Sequence, residues 1–333
     1  IRDRDVTGVQ TCALPILKSK KGVFNSDKSG VTGVGNQINF GKERQTLINK
    51  GVYEPNKPYV IYDKPYEMNI VGIRSYQQNL NRFDDYLALF YKDPSCTNCK
   101  DGWQFKIWPI TTDPGVTANG QTSETFMAEG QYINAFGTGI HKNKPEYKYK
   151  YPALHNDSNI LYYSQIQSNQ LIDRDPNKLY IATPGFNIHV SGTFTGKDKT
   201  RAVNTWSEGC QVFDSCYDFM EFIDIVFTKS SNYDTGKQVQ VKGLDSKGGC
   251  KNCTLTLDDC LKTSVPGSTL KDGQSVKKRL FTYTLLNSTD FGIPNNASTG
   301  LVASNNIYEN YIAGGTRAAA QPVAGNKIGR AHV

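Results

Sequence analysis

A histidine and a cysteine, His189 and Cys210, lie 21 positions apart in settings that favour nucleophilic chemistry. The histidine belongs to the run FNIHVSG (186–192), where apolar and polar residues alternate as in a half-buried strand. Because side chains alternate between the two faces of a strand, the apolar residues are expected to face the core and His189 to face away from it. The pattern therefore predicts an imidazole that a substrate can reach.

Cys210 follows a Ser-Glu-Gly turn (207–209) and precedes a predicted helix over 214–227, where apolar residues recur at i, i+3, i+4 and i+7. A thiol near the start of a helix is favoured as thiolate by the helix dipole, and a neighbouring imidazole can accept its proton. Backbone N–H groups at such a turn can stabilise an oxyanion. Together these features predict acyl transfer by a cysteine nucleophile. The alternative is that Cys210 is a small buried hydrophobe and His189 a strand histidine with satisfied hydrogen bonds.

The patterns I-H-x-S-G (188–192) and S-x-G-C (207–210) resemble the catalytic signature of the L,D-transpeptidases, the YkuD-like enzymes that act on bacterial peptidoglycan. TTDPG (111–115) and EGQY (129–132) are also similar, so the resemblance covers about residues 68–228 and a strand at 279–286. It implies a mainly β fold, a sandwich or barrel with one helix after the nucleophile and an irregular insertion. It also implies a thioester with a peptidoglycan stem peptide and no cofactor in catalysis.

The resemblance assigns catalytic roles to the motif residues. Cys210 would be the nucleophile and His189 the base, oriented by the carbonyl of Val190, while Ser207 and Gly209 would support the nucleophile turn. Glu208 departs from the motif, which usually has histidine there, and its carboxylate would disfavour a thiolate. Gln211-Val212 also departs from the usual apolar residue and arginine, which weakens the expectation of a substrate carboxylate.

Four further residues are expected to contact the substrate, namely Ser191, Gly192, Trp206 and His141. Ser191 and Gly192 end the first motif, and Trp206 precedes the second. His141 ends a G-x-x-x-H-like turn over 137–141, for which an exposed loop histidine is the alternative interpretation.

The surrounding sequence predicts strands over 68–76, 84–91, 103–110, 178–184, 186–192 and 279–286. We expect a cysteine acyl-transfer domain over 68–288, with residues 229–276 as an insertion, an N-terminal arm over 17–67 and a polar tail over 289–327. Residues 141–176 are expected to be irregular. Residues 1–16 and 328–333 resemble translated sequencing adapters, so they are excluded from these interpretations.

Seven cysteines remain outside the adapter-like ends, an odd number that leaves at least one thiol unpaired. Two CxxC pairs, Cys96/Cys99 and Cys250/Cys253, predict a structural zinc site if the hairpin tip and the insertion meet. Separate thiols or disulfides are the alternatives, with Cys216 and Cys260 as further disulfide partners.

Lys plus Arg 38 against Asp plus Glu 31 gives a net charge of +7, or +6 without Arg330 of the adapter-like end. This mild surplus fits an anionic wall polymer, whereas no nucleic-acid-binding motif accompanies it. Because no run of 18 apolar residues exists, no membrane-spanning helix is expected.

We therefore predict a peptidoglycan-acting hydrolase or transpeptidase of the cell wall or periplasm, with a phage lysin or virion protein as the favoured setting. The alternatives are a non-catalytic virion or surface binding module with an inert Cys210, and a zinc-stabilised interaction domain.

Overall fold

The computed structural model describes residues 14–28, 30, 37–75, 81–115, 125–142, 150–164, 174–191, 202–203, 207–244 and 269–291. These residues form two α-helices longer than two turns, α1 (Phe40–Asn49) and α2 (Cys216–Thr228). The strands are, in chain order, β1 (Lys21–Asn25), β2 (Ile38–Asn39), β3 (Tyr53–Pro58), β4 (Asn69–Arg74), β5 (Asp85–Lys92), β6 (Trp103–Thr111), β7 (Thr125–Met127), β8 (Gly130–His141), β9 (Tyr151–Asn156), β10 (Ile160–Ser164), β11 (Leu179–Ala182), β12 (Asn187–Val190), β13 (Gln211–Phe213), β14 (Asp234–Gln240) and β15 (Ser275–Asn287). The protein is thus mainly β, as the sequence predicted.

The larger sheet of the described residues has eleven strands in the order β14-β15-β4-β5-β6-β13-β12-β9-β8-β1-β3. A further pairing of β15 with β8 closes the strands between them into a barrel. The smaller sheet has the order β2-β11-β10-β7. The site strands β12 and β13 are internal strands of this barrel, with β9 paired to β12 and β6 paired to β13 on their other sides.

Alternation along the strands buries both faces of β5. Leu87 and Leu89 belong to the main core, whereas Ala88 and Phe90 belong to a second cluster on the opposite face. Residues 14–19 are helical, and Leu17 covers this second cluster. A strand buried on both faces loses the simple apolar–polar alternation, which explains why DYLALFY reads as a continuous apolar run.

Helix α2 packs its apolar stripe into the main core. Ser215 caps it, since its side chain accepts the backbone N–H of Asp218, and Phe219, Phe222, Ile223 and Val226 are buried. The spacing i, i+3, i+4 and i+7 predicted this face correctly.

Three organisational predictions need correction. Residues 17–67 are no free arm, because β1 pairs with both β3 and β8 and α1 places Phe40 and Leu47 in the main core. The stretch 141–176, predicted to be irregular, contains β9 and β10. The expected insertion 229–276 begins with β14, which pairs with the first half of β15, while its residues 245–268 lie outside the described ones.

Among the described residues, none of the helices is both long and apolar enough to cross a membrane.

Candidate active site

The two predicted catalytic residues lie on neighbouring strands. β12 and β13 run parallel, with His189 in register with Val212 and Ile188 with Gln211. Cys210 immediately precedes β13, so continuing this register places it beside Asn187. Side chains two positions apart on a strand share a face, which makes His189 and Cys210 diagonal neighbours with Cα atoms about 8 Å apart at standard strand spacing.

The imidazole of His189 is oriented by the backbone of the next residue. Its Nδ1 lies 3.0 Å from the carbonyl oxygen of Val190. Because a carbonyl oxygen only accepts hydrogen bonds, Nδ1 must carry the proton in the neutral ring, and Nε2 is left with the lone pair. This is the tautomer that a general base requires, and the orienting carbonyl is the one that the motif predicted.

Ser207 and Gly209 build the turn before Cys210, as expected. The Ser207 hydroxyl donates to the carbonyl oxygen of Cys210 at 3.0 Å and accepts the N–H of Gly209 at 3.1 Å. Gly209 has a φ of +113°, and an added Cβ would overlap the Phe186 ring and approach the Thr125 carbonyl oxygen to 2.5 Å. Only glycine fits this position without strain, so the turn conformation is tightly determined.

The thiol of Cys210 contacts the backbone of the chain that leads into β12. Its sulfur accepts the N–H of Asn187 at 3.4 Å and lies 4.0 Å from the carbonyl oxygen of Gly185. The expectation that Cys210 lies at a helix N-terminus is wrong, since β13 and the cap Ser215 separate it from α2. The first residue of α2 is instead Cys216, which is buried.

Cys210 therefore lacks the helix dipole, and its surroundings disfavour the thiolate. Burial raises the pKa of the thiol to about 11, the hydrogen bond from Asn187 works against this rise, and the charge of Glu208 adds to it. The effect of Glu208 has the sign that the motif departure predicted. At neutral pH Cys210 is accordingly a protonated thiol.

His189 faces away from the main core, but it is covered rather than open. Its exposed fraction is 4%, which corrects the expectation of a freely accessible imidazole. Burial lowers the pKa of His189 to about 4, against the hydrogen bond to Val190, and Lys142 and His155 lower it further. The ring is therefore neutral and basic at Nε2 over the whole physiological range.

His141 supplies part of this cover. It is the last residue of β8 rather than a loop residue, and its ring stacks on that of His189 with a centroid distance of 4.6 Å and an interplanar angle of 15°. Burial lowers the pKa of His141 to about 2, and the neighbouring His189, Lys142 and His155 add to this effect because each would repel a charge on the ring. The Nδ1 atom of His141 and the Nε2 atom of His155 are buried without hydrogen-bond partners. We call these three histidines the histidine face.

The remaining predicted substrate contacts have different outcomes. Ser191 is fully buried at the end of β12, and its N–H donates to the carbonyl oxygen of Phe213 at 3.1 Å. The assignment of Ser191 as a substrate contact stays a prediction, for a side chain that is buried in the substrate-free protein. Gly192 and Trp206 lie outside the described residues.

Sequence reasoning missed a buried ionic group, which we call the arginine cluster: Arg74, Asp85, Asp113 and Glu129. Arg74 Nη1 donates to Glu129 at 3.1 Å, and its Nε lies 3.1 Å from an Asp113 oxygen. Asp85 accepts the backbone N–H groups of Ser75 and Thr112, both at 2.6 Å. Charged residues at the ends of otherwise apolar strands, as in NIVGIR and DYLALFY, were the available signal.

The zinc prediction is not met at Cys96 and Cys99. These two residues are joined in a disulfide with a Cα–Cα distance of 5.5 Å, so neither sulfur is a thiolate that could bind a metal. Cys250 and Cys253 lie outside the described residues. Within the described ranges, no three His, Cys, Asp or Glu side chains are grouped as metal ligands.

No family model matches the chain, and comparisons with curated proteins and with solved structures likewise give no match.

Proposed function

We propose that the protein is a cysteine acyltransferase or peptidase that acts on peptidoglycan stem peptides, with Cys210 as nucleophile and His189 as base. The observation that carries the proposal is the hydrogen bond from His189 Nδ1 to the Val190 carbonyl, on the strand beside the nucleophile turn. It leaves Nε2 free to accept a proton on the face that Cys210 shares. The resemblance to L,D-transpeptidases supplies the substrate class.

The protonation states favour one version of the chemistry. A thiol with a raised pKa and an imidazole with a lowered one rest as a neutral pair, not as a thiolate and an imidazolium. The proton must then move as the new bond forms, which is general-base catalysis. The thiol is held by backbone groups in the resting protein, so contact with His189 requires a side-chain rotation when substrate binds.

The reaction then proceeds in two halves. The Cys210 sulfur attacks the carbonyl carbon of an amide while its proton passes to His189 Nε2. The C–N bond breaks, the leaving amine takes this proton, and the acyl group remains on sulfur as a thioester. Attack by water gives hydrolysis, and attack by a second amine gives a cross-link. The resemblance to wall-active proteins of phages favours hydrolysis.

The test is digestion of purified muropeptides followed by mass spectrometry, which distinguishes a cleaved stem from a new cross-link. Cys210→Ser should lose at least about a hundredfold in rate, because a serine here has no comparable activation. Cys216→Ala, which removes the buried cysteine of α2, should retain the parent rate and serves as the matched control. Equal rates in parent and Cys210→Ser would rule out the nucleophile.

A non-catalytic binding module is the second candidate, and the raised pKa of Cys210 is the observation that favours it. In that case the folded parent binds peptidoglycan sacculi in a pull-down assay and leaves every stem peptide intact. Cys210→Ser would then bind the sacculi as strongly as the parent.

A further inference from the structure

We propose that His141 is a positioning residue for His189: it holds the plane of the base through ring stacking and does not itself contact the substrate. The inference rests on the proposed function for its catalytic meaning, but its structural content can be tested without any activity. It replaces the sequence-based assignment of His141 as a substrate contact.

Four groups close a ring of contacts around the base. Val190 O accepts His189 Nδ1 at 3.0 Å and also the hydroxyl of Tyr151 at 3.2 Å. The Tyr151 ring lies 5.0 Å from the His141 ring, which in turn stacks on His189 at 4.6 Å. The His141 side chain therefore lies between Tyr151 and the base and contacts both.

The direction of His189 Nε2 is set by rotation about the Cβ–Cγ bond of the side chain. Rotation would break the bond to Val190 and would also drive the His189 ring edge into the parallel face of His141. Both constraints act on the same torsion, so together they determine the direction in which Nε2 points. Without such constraints, the torsion about the Cβ–Cγ bond of a histidine takes a broad range of angles.

The sheet provides the space that the stack needs. Continuing the register of β12 with β9 places His189 beside Ala153, and Ala153 pairs with Gly139 of β8. The intervening strand β9 thus has a small residue beside His189, and β8 has a glycine two positions before His141. A Cβ on Gly139 would lie 3.1 Å from the His155 ring, so this ring occupies the space that the glycine leaves.

Burial is the main reason that both stacked rings are neutral, and the neighbouring cationic groups act in the same direction. Lys142 follows His141 at the end of β8, and His155 projects from β9 beside the Asp157–Lys278 ion pair. Among these neighbours Asp157 is the anion, and it influences His155 rather than the stacked pair. Protonation of either stacked ring would add a cation beside Lys142 and a second imidazole.

The experiment compares His141→Phe, which keeps a flat ring, with His141→Ala, which removes it. The Nδ1–H proton of His189 is followed by NMR in the folded, substrate-free protein, with circular dichroism as a check of folding. We expect the signal to persist in His141→Phe and to broaden into exchange with water in His141→Ala. An Nδ1–H signal in His141→Ala that equals the parent's overturns the proposal, whether or not the parent cleaves peptidoglycan.

The kinetic arm separates positioning from substrate contact. With an active parent, His141→Ala should lower kcat about tenfold or more with little change in KM, because a misplaced base affects the transition state and not binding. His141→Phe should recover most of this loss. A rise in KM in both variants at unchanged kcat would identify His141 as a substrate contact and refute the proposal. An inactive parent with the expected NMR change would refute the proposed function and leave the positioning geometry supported.

Discussion

The histidine face and the arginine cluster are both buried and polar, but they offset the cost of burial in opposite ways. In the arginine cluster, Arg74 is surrounded by carboxylates and carbonyl oxygens, so its charge is retained and paired. In the histidine face, the rings lose their charge and two ring nitrogens have no hydrogen-bond partner. Paired charge builds structure, whereas neutral rings with available nitrogens can still exchange protons.

The largest effect is expected when the buried cation of the arginine cluster is removed. Arg74→Met removes the buried cation that pairs with Asp113 and Glu129, and we expect a loss of about 3–5 kcal/mol in the free energy of unfolding. Urea unfolding measures it. Arg44→Met, on the exposed side of α1 beside Phe40 and Tyr53, is the control and should cost about 1 kcal/mol or less. Similar losses in the two variants would mean that the cluster is not held by paired charge.

Acidification tests the neutral state of the histidine face. The unfolded chain protonates a histidine near pH 6.5, whereas the folded chain protonates His189 only near pH 4. Between these values the unfolded state binds more protons than the folded state. The contribution of His189 to the free energy of unfolding therefore falls by about 3 kcal/mol as the pH falls from 6.5 to about 4. His189→Gln should flatten the pH dependence of urea unfolding by that amount.

Asp113 of the arginine cluster also makes the free energy of unfolding depend on pH, in the direction opposite to His189. Burial and the charge of Asp85, only partly offset by Arg74, raise the pKa of Asp113 to about 7. The folded chain then holds the Asp113 proton more tightly than the unfolded chain does. The stabilisation by Asp113 is therefore present at low pH and is lost as the pH rises towards about 7. Because Asp113 is present in both parent and His189→Gln, its contribution cancels in their difference. Parallel stability curves for the two proteins would contradict the buried neutral histidine.

The smallest expected effect concerns Glu208, which belongs to neither cluster. Its charge raises the pKa of Cys210, so Glu208→Gln should lower that pKa and increase the alkylation rate of Cys210 a few-fold near pH 9. Mass spectrometry of the peptide that contains Cys210 gives the rate. Glu43→Gln, on exposed α1, should leave the rate unchanged; no difference between the variants would show that the Glu208 charge does not reach the sulfur.

Local sequence patterns were sufficient for the strands around the core and for the nucleophile turn. The apolar runs of β4, β5, β6 and β15 and the stripe of α2 follow simple periodicity, and Ser207-Glu208-Gly209 was correctly predicted as a turn. The Val190 carbonyl was also anticipated correctly. These features depend on neighbours within a few positions along the chain.

The errors concern features that depend on distant partners. β13 has only three residues, and it is a strand because β6 and β12 pair with it from both sides. Without those partners Cys210 appears to adjoin a helix. The burial of His189 likewise depends on His141, which lies 48 positions earlier in the chain. No local pattern contains this contact.

The closing pairing of the barrel has a consequence for biosynthesis. β15 lies between β4 and β8, so two strands made early must wait for one that is completed only at Asn287. At typical rates of synthesis, about ten residues each second, this wait is on the order of 20 seconds after β4 leaves the ribosome. During that interval the apolar faces of β4 and β8 lack their final partner. Such long-range closure folds slowly and exposes strand edges to aggregation, so production in cells should benefit from slow expression or added chaperone.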